Sequence, residues 1–473
     1  MTGRPSTRST FRPTFRPTPR KPVRTAVRGV GALVACASLA VGCGVVPGVT
    51  GGSGDDAITV MTWAPTDTGA TNKPGMPALA QAYARWVNSQ GGINGRELKV
   101  LLCNDHNDSL GAAKCARRAV DEDVVAVLGS YSQHADSFFP VLEGARIPYI
   151  GGYGITNAEL TSPLSYPVNG GQPVLLAGLG EALAPNCGPV ALVRPDTIAG
   201  DELPAMLNSG LEAKGHEPVE DVRAVEDATE YSEQSQQALR EATGTDDEQA
   251  TGTEVTDGSA GAAGAGDAGD AGDAGDADAD AEKGCVVPAL GDRTSTFMDS
   301  FRRARTDFPE VRTGTVLGSA DQTIVDASGG GSGPYEGAYV TSWYPVASDR
   351  RWDDMKEVIS EQAFADNRID PADAGVQTTW IAYTVFRAAV ADLGDGEVSA
   401  DTVRRKLDNG FRTDTGGLTP PLRWKFQDRL ASVGFPRLVN ADVTLQVVRD
   451  GRLVAARKGF TDVTEILQGA DVN

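Results

Sequence analysis

Short apolar runs alternate with helical segments along this chain, and that alternation constrains its fold more than any other feature. The run 57–63 (AITVMTW) is typical of a buried strand, and 74–88 carries apolar residues at helical spacing. By the same criteria the sequence predicts further strands at 97–102, 124–128 and 147–150, and further helices at 109–120 and 133–145. Strands that alternate with helices of this length predict βαβ units, with a parallel sheet covered by helices on both faces.

The alternation starts again near residue 190, which predicts a second α/β lobe. Its strands are expected at 190–194, 218–225 and 285–290. Helices are expected at 201–214 and 294–307, and a further long helix follows the strand 218–225 and ends at about residue 240. Later in the chain, 376–393 predicts a strong helix. The runs 443–448 and 453–456 flank Asp450-Gly451, which predicts a β-hairpin.

A low-complexity tract, 241–283, interrupts the second block between a helix and the next strand. Its core repeats Gly-Asp-Ala, and 241–282 hold thirteen acidic residues and no basic one. Such a composition buries too little apolar surface to offset the entropy of ordering, so the tract is predicted to be a disordered insertion that loops out of the lobe. A calcium-binding repeat is the alternative, since carboxylates bind hard cations, but the nine-residue pattern with its apolar anchor is absent.

The first 42 residues have the pattern of a secretion signal. Eight basic residues and no acid precede an apolar run at 29–42, which is followed by Cys43. The string Leu39-Ala-Val-Gly-Cys43 resembles a bacterial lipobox, in which the cysteine is acylated and becomes the first residue of the mature protein. The sequence therefore predicts a lipoprotein signal peptide at 1–42, lipidation of Cys43 and a flexible tether at 43–57. An ordinary secretory signal with a chance cysteine is the alternative.

The charge of the chain excludes some classes of partner. The formal net charge is −21. Because the leader contributes eight positive charges to this sum, the rest of the chain has a net charge more negative than −21. Binding to nucleic acid or to an anionic membrane surface needs basic patches, so neither is expected. The apolar content of 40% is typical of a globular protein, and no apolar run reaches the ~18–20 residues of a membrane helix.

Four cysteines remain when Cys36 of the leader and the lipidation site Cys43 are set aside, and an even number in an exported chain predicts disulfides. In a doubly wound sheet of order 2-1-3, the first and third strands are neighbours. Cys187 precedes the first strand of the second block and Cys285 opens its third, while Cys103 ends a strand and Cys115 lies in the following helix. The expected pairs are 103–115 and 187–285. Metal binding is disfavoured, because C-x-x-C spacing and nearby histidines are missing.

Several strings together resemble one family. They are 86–96 (WVNSQGGINGR), 124–130 (VVAVLGS), 145–150 (ARIPYI) and 156–161 (TNAELT). In this order they look like the branched-chain amino-acid-type substrate-binding proteins of ABC importers, which have the type I periplasmic binding fold. The resemblance implies two Rossmann-like α/β lobes with parallel sheets, three hinge crossings and a ligand trapped in the cleft between the lobes.

The implied lobes are each discontinuous in sequence. With crossings expected near 166–171, 344–348 and 416–424, lobe 1 consists of 58–168 and 347–418. Lobe 2 consists of 169–346, which includes the insertion, and 419–473, which includes the C-terminal tail.

Ligands of open parallel sheets bind beyond the carboxyl ends of the strands, which here are followed by the loops 64–73, 129–134 and 151–157. The resemblance implies that Ser132, Gly154 and Thr156 hold the carboxylate and amine of an amino acid, with Ser130 as an alternative to Ser132. It also implies Asp321 as the acid that meets the ligand amine. Aromatic residues are expected either to line the cleft or to belong to the core: Trp63, Tyr131, Tyr153, Trp343 and Tyr344. The predicted ligand-binding residues are Ser130, Tyr131, Ser132, Tyr153, Gly154, Thr156 and Asp321. Ordinary polar turns are the alternative interpretation of these loops.

Three functions follow from these patterns. The first is a monomeric, lipid-anchored protein on the outer face of the cell membrane, which delivers a small polar solute, such as an amino acid, to an ABC permease without any cofactor or metal. The second is a ligand sensor of the same fold that signals to a membrane receptor. The third is a secreted hydrolase acting through Ser132 and His134, which is disfavoured because no G-x-S-x-G, HExxH or P-loop motif occurs.

Overall fold

The computed structural model describes residues 57–69, 71–197, 200–225, 228–244 and 283–469. The predictions for the leader at 1–42, for Cys43 and for nearly all of the tether at 43–57 lie outside these residues. So does most of the insertion at 241–283, of which only the two ends are described.

Lobe 1 is built on a sheet of five parallel strands in the order β2-β1-β3-β4-β5. The strands are β1 (Ile58–Trp63), β2 (Leu98–Cys103), β3 (Ala126–Leu128), β4 (Tyr149–Ile150) and β5 (Ser165–Tyr166). The helices between them are α1 (Gly75–Ser89), α2 (Ser109–Asp121), α3 (Ala135–Ala145) and α4 (Asn157–Thr161). The predicted alternation is confirmed, although β5 and α4 are too short to leave a sequence pattern.

Lobe 2 is built on a mixed sheet in the order β14-β13-β10-β9-β8-β6-β7, with β15 paired to β13. Its strands are β6 (Val190–Pro195), β7 (Glu220–Ala224), β8 (Cys285–Pro288), β9 (Arg312–Val316), β10 (Tyr339–Ser342), β13 (Asp442–Arg449), β14 (Arg452–Ala455) and β15 (Thr461–Asp462). Its helices are α5 (Gly171–Leu183), α6 (Leu203–Glu212), α7 (Ser232–Thr243), α8 (Thr294–Ala304), α9 (Gln322–Ala327) and α13 (Thr464–Gly469). The strands β6 to β10 are parallel, and β13 joins them antiparallel as the first arm of the predicted hairpin.

The chain passes between the lobes three times: between β5 and α5, between β10 and residue Asp353, and between residue Arg423 and β13. The returning segment of lobe 1 contains α10 (Asp353–Gln362), α11 (Ala374–Ala391), α12 (Ala400–Asp408) and the pair β11 (Arg412–Thr413) and β12 (Leu422–Arg423). Helices α10 and α11 pack against α1. Helix α11 is buried along most of its length, and Asp373 caps it by accepting a hydrogen bond from the Val376 N–H (2.9 Å).

Both predicted disulfides are present. Cys103 at the end of β2 bonds to Cys115 in α2, and Cys187, just before β6, bonds to Cys285 at the start of β8. The second bond follows from the sheet order, because β6 lies between β7 and β8 and pairs with β8 in parallel. The strand order 2-1-3 is therefore confirmed in both lobes.

Candidate functional site

The carboxyl ends of the strands of both sheets face each other across a cleft. From lobe 1 the cleft is bordered by the loops after β1, β3 and β4, and from lobe 2 by the loops after β8 and β9. A cavity of about 240 Å³ in this cleft is lined by both lobes. Lobe 1 contributes Asn72, Lys73, Pro74, Gly75, Arg368, Asp370 and Asp373, and lobe 2 contributes Asp321, Thr323 and Ile324. We refer to this cavity and its lining, together with four side chains next to Lys73, as the cleft site; the four are Asp292, Tyr153 and the two rings packed on Tyr153, Tyr131 and Trp343.

The ammonium group of Lys73 lies at the centre of the cleft site. Its Nζ is 3.5 Å from Asp292 of lobe 2, 3.9 Å from Asp373 of lobe 1 and 5.8 Å from the centre of the Tyr153 ring. Only 10% of the Lys73 side chain is exposed. Burial alone would lower the pKa of Lys73, but Tyr153, Asp373 and Asp292 raise it above its usual value, so the side chain is charged at neutral pH.

Three aromatic rings lie beside the Lys73 ammonium group, next to the cavity rather than in its lining. Tyr153 packs edge-on against Tyr131 (5.0 Å between centroids) and Trp343 (5.3 Å), and all three are buried. Burial raises the pKa of Tyr131 to about 12. The Tyr153 hydroxyl reaches lobe 2, because a Cβ built on Gly318 would lie 2.5 Å from it. The lobes therefore touch through this ring.

The hydroxyls of Ser130 and Ser132 are engaged within lobe 1. Ser130 Oγ accepts a hydrogen bond from the Trp63 N–H and donates to the Leu128 carbonyl, both at 3.1 Å. Ser132 Oγ accepts from the main-chain N–H of His134 (3.2 Å). Burial raises the pKa of Asp105, while the adjacent Ser132 hydroxyl counteracts this. The imidazole of His134 is not a partner of Ser132 Oγ, so the arrangement that would activate a serine nucleophile is not formed.

The loop after β4 encloses an internal carboxylate. Glu159 is almost fully buried and accepts hydrogen bonds from the main-chain N–H groups of Gly154 (3.3 Å), Ile155 (3.0 Å) and Thr156 (3.1 Å). The Thr156 hydroxyl also donates to Glu159 (3.0 Å). The donors that the resemblance assigns to a ligand at Gly154 and Thr156 are thus already paired with Glu159, in the following helix α4.

Replacing Glu159 with alanine should lower the free energy of unfolding by about 3 kcal/mol, because one buried and two partly buried N–H groups would lose their acceptor. Urea denaturation measures the change. Glu143→Ala is the control, since among the described residues the exposed Glu143 carboxylate accepts one hydrogen bond, from Ser162, and its loss should cost less than about 1 kcal/mol. Equal losses in the two variants would contradict the role given to Glu159.

Asp321 stands at the lobe 2 side of the cleft site, at the start of α9. It accepts a hydrogen bond from the Ile324 N–H (2.8 Å) and is 7% exposed. Burial raises its pKa to about 7, with Asp373 and Asp370 acting in the same direction and Lys73 opposing them. Asp321 therefore changes its charge near neutral pH.

This pKa predicts a pH dependence of stability. An aspartate with a folded pKa near 7 and an unfolded pKa near 4 holds its proton in the folded protein over that interval, so its contribution to stability falls as pH rises from about 4 to about 7. Each unit of difference corresponds to about 1.4 kcal/mol. We expect Asp321→Asn to remove this fall. Urea denaturation of both proteins from pH 4 to 8 measures it, and parallel profiles would contradict it.

The structure brings some of the predicted residues together and separates others. Tyr131, Tyr153 and Asp321 border the cleft site, whereas the hydroxyls of Ser130, Ser132 and Thr156 are bound within lobe 1. Gly154 is left-handed (φ +87°), and a Cβ there would lie 2.8 Å from the Gly171 Cα. Among the aromatics, Trp63 packs in the core against Phe138 (5.1 Å).

Sequence reasoning missed the charged centre of the site. Lys73 is the last residue of the loop 64–73, which the sequence predicts to border the ligand site. However, neither Lys73 nor its partners Asp292 and Asp373 belong to a recognisable sequence motif. The three residues come from separate parts of the chain and meet only in the folded protein. The signal in the sequence was a lysine between the first strand and the first helix. It indicates a charged residue at the ligand site only weakly.

A second cavity, of about 300 Å³, lies within lobe 2 between α5 and the strands β10 and β13. Its lining includes Glu181, Lys214, Tyr339 and Arg457. Because only lobe 2 borders it, movement of the lobes would not enclose a ligand there.

Among the residues that the structure describes, no helix is both long and apolar enough to cross a membrane. Nor do the described residues contain a group of three or more His, Cys, Asp or Glu side chains that could hold a metal ion.

The chain belongs to the periplasmic binding protein family, whose model matches residues 63–431. Members of this family are extracytoplasmic binding proteins, and the fold observed here is theirs. A search of curated proteins finds no significant match.

Solved structures with this fold cover most of the chain at low identity. A fatty acid ABC transporter substrate-binding protein from Thermomonospora curvata has a TM-score of 0.64 and 14% identity, with 88% of this chain and 96% of that one covered. A solute-binding protein of an ABC transporter from Rhodopseudomonas palustris, in complex with 3,4-dihydroxybenzoic acid, has a TM-score of 0.63 and 15% identity, with coverages of 86% and 98%. A leucine-binding protein from Thermotoga maritima has a TM-score of 0.59 and 14% identity, with coverages of 86% and 100%. At these identities the likeness supports the fold alone.

Proposed function

We propose that this protein is the solute-binding component of an ABC importer, which captures a small polar solute in the cleft between its lobes. The observation that carries the proposal is the cavity lined by both lobes at the carboxyl ends of their strands. A ligand bound to one lobe would gain contacts from the other when the lobes approach, and the three connections between the lobes act as the hinge. The ABC transporter proteins with the same fold support this assignment.

The remaining parts of the proposal rest on the sequence. The protein works as a monomer on the outer face of the cell membrane, held by a lipid on Cys43, and it delivers its solute to an ABC permease. Neither a metal nor a cofactor is required. The Ser132 hydroxyl accepts a hydrogen bond from the main-chain N–H of His134 and is not paired with the His134 imidazole, which supports binding rather than hydrolysis.

A thermal-shift screen of amino acids, amides, amines, carboxylates and sugars tests this function. A ligand at about 100 times its Kd should stabilise the protein by roughly 2.7 kcal/mol. Tyr153→Ala should abolish the shift, whereas Lys214→Met, in the second cavity, should leave it unchanged. A ligand whose shift depends on Lys214 and not on Tyr153 would refute the cleft site as the place of binding.

A further inference from the structure

We propose that the cleft site is a receptor for a small organic cation, and that the Lys73 ammonium occupies the cation position when the lobes touch. This inference rests on the proposed function, because it names the class of solute that the same cleft takes. It identifies Lys73 as an internal competitor of the ligand.

The surroundings of the Lys73 ammonium are those of a bound cation. Asp292 and Asp373 provide carboxylates from opposite sides of the cleft, at 3.5 and 3.9 Å, and Tyr153 presents its ring at 5.8 Å. Carboxylates combined with an aromatic face are the groups that recognise ammonium ions. These three side chains would serve an external ammonium ion as well as they serve Lys73.

The cavity next to the Lys73 ammonium group also favours a cationic ligand. Asp370 adds a further carboxylate to its lining, and Asp321 adds a carboxyl group that is partly ionised near neutral pH. The additional cation there, Arg368, is paired with Asp366 on its own loop. A volume of about 240 Å³ lies below the usual range of roughly 300–1,000 Å³ for ligand pockets, so the ligand is small.

An anionic ligand would find its natural donors occupied. The N–H groups of the loop after β4 are bound to Glu159, and Ser132 lies beside the buried Asp105. A carboxylate drawn to Lys73 would have to separate it from Asp292 and Asp373 and leave both acids without their partner. Lys73 is 10% exposed and Asp373 is 26% exposed, so these charges are partly desolvated, the loss of a partner costs free energy, and the charge balance favours a cation.

Isothermal titration calorimetry with three variants tests the inference. The probes are choline, putrescine and ethanolamine as cations, and butyrate and benzoate as anions. We expect at least one cation to bind the wild type, and Lys73→Met to bind it at least about tenfold more tightly, since a neutral side chain of similar length no longer competes. Lys73→Arg keeps the charge and should show no such gain. Lys356→Met, which removes a surface lysine near Asp353 (3.9 Å), is the control and should match the wild type.

The possible outcomes separate the inference from the proposed function. If an anion binds and Lys73→Met weakens it tenfold, or if no cation binds either the wild type or Lys73→Met, the inference is wrong. Binding of an anion or a neutral solute that depends on Tyr153 would then leave the proposed function intact. Thermal unfolding of each variant verifies that it is folded, and if Lys73→Met does not fold, Lys73→Gln takes its place with the same expectation.

Discussion

Replacing Gly318 with alanine should weaken the binding of the cleft ligand by tenfold to a hundredfold. In the structure with the lobes in contact, a Cβ on Gly318 would lie 2.5 Å from the Tyr153 hydroxyl. The ring cannot move aside freely, because Tyr131 and Trp343 pack against it. Overpacking of this kind costs about 1–3 kcal/mol, and here the cost falls only on the closed arrangement. Calorimetry with the ligand from the thermal-shift screen measures the loss.

Gly337→Ala is the matched control for this prediction. Gly337 is also in lobe 2 and also left-handed (φ +78°, against +92° for Gly318), but a Cβ there would meet no atom within 4 Å. It therefore reproduces the backbone strain without the contact across the cleft. Equal affinities in the two variants would show that Gly318 does not face Tyr153 when the ligand is bound.

Loss of the Cys187–Cys285 disulfide should destabilise the protein more than loss of Cys103–Cys115. The first bond closes a loop with a sequence separation of 98 and the second a loop of only 12. The chain-entropy estimate is about 5 kcal/mol for a loop of about 100 residues and about 3 kcal/mol for one of about 15. We expect the double variant Cys187→Ala, Cys285→Ala to show the larger fall in unfolding free energy by urea denaturation.

The double variant Cys103→Ala, Cys115→Ala provides the internal comparison, since each double variant removes one disulfide that packs in a core cluster of its lobe. A larger loss from the short loop would mean that local packing around α2, rather than loop length, determines what these bonds contribute.

The sequence predicts the framework of this protein because the framework depends on local patterns. The apolar run that forms β1, the helical spacing in α1 and the strand order that pairs Cys187 with Cys285 are all readable without a structure. Helix α11 was predicted at 376–393 and spans Ala374–Ala391. The two-residue strand β5 was missed, because it has no periodicity of its own, whereas β4 lies within the strand predicted at 147–150.

The cleft site was predicted less completely, because its chemistry depends on which groups pair after folding. The rule that ligands bind at the carboxyl ends of parallel strands points to loops that the structure places beside the cleft. The rule does not predict that Glu159 accepts hydrogen bonds from the N–H groups of the loop after β4. Nor does it predict that Lys73 pairs with Asp292 of lobe 2. Such long-range charge pairs are not encoded in spacing.

Small-angle X-ray scattering with and without a saturating ligand tests the central claim, capture by closure of the lobes. The ligand is the one that the thermal-shift screen identifies and whose effect requires Tyr153. We predict that it lowers the radius of gyration of the wild type and that Gly318→Ala shows a smaller decrease at the same occupancy. An unchanged radius of gyration in the saturated wild type would contradict the account.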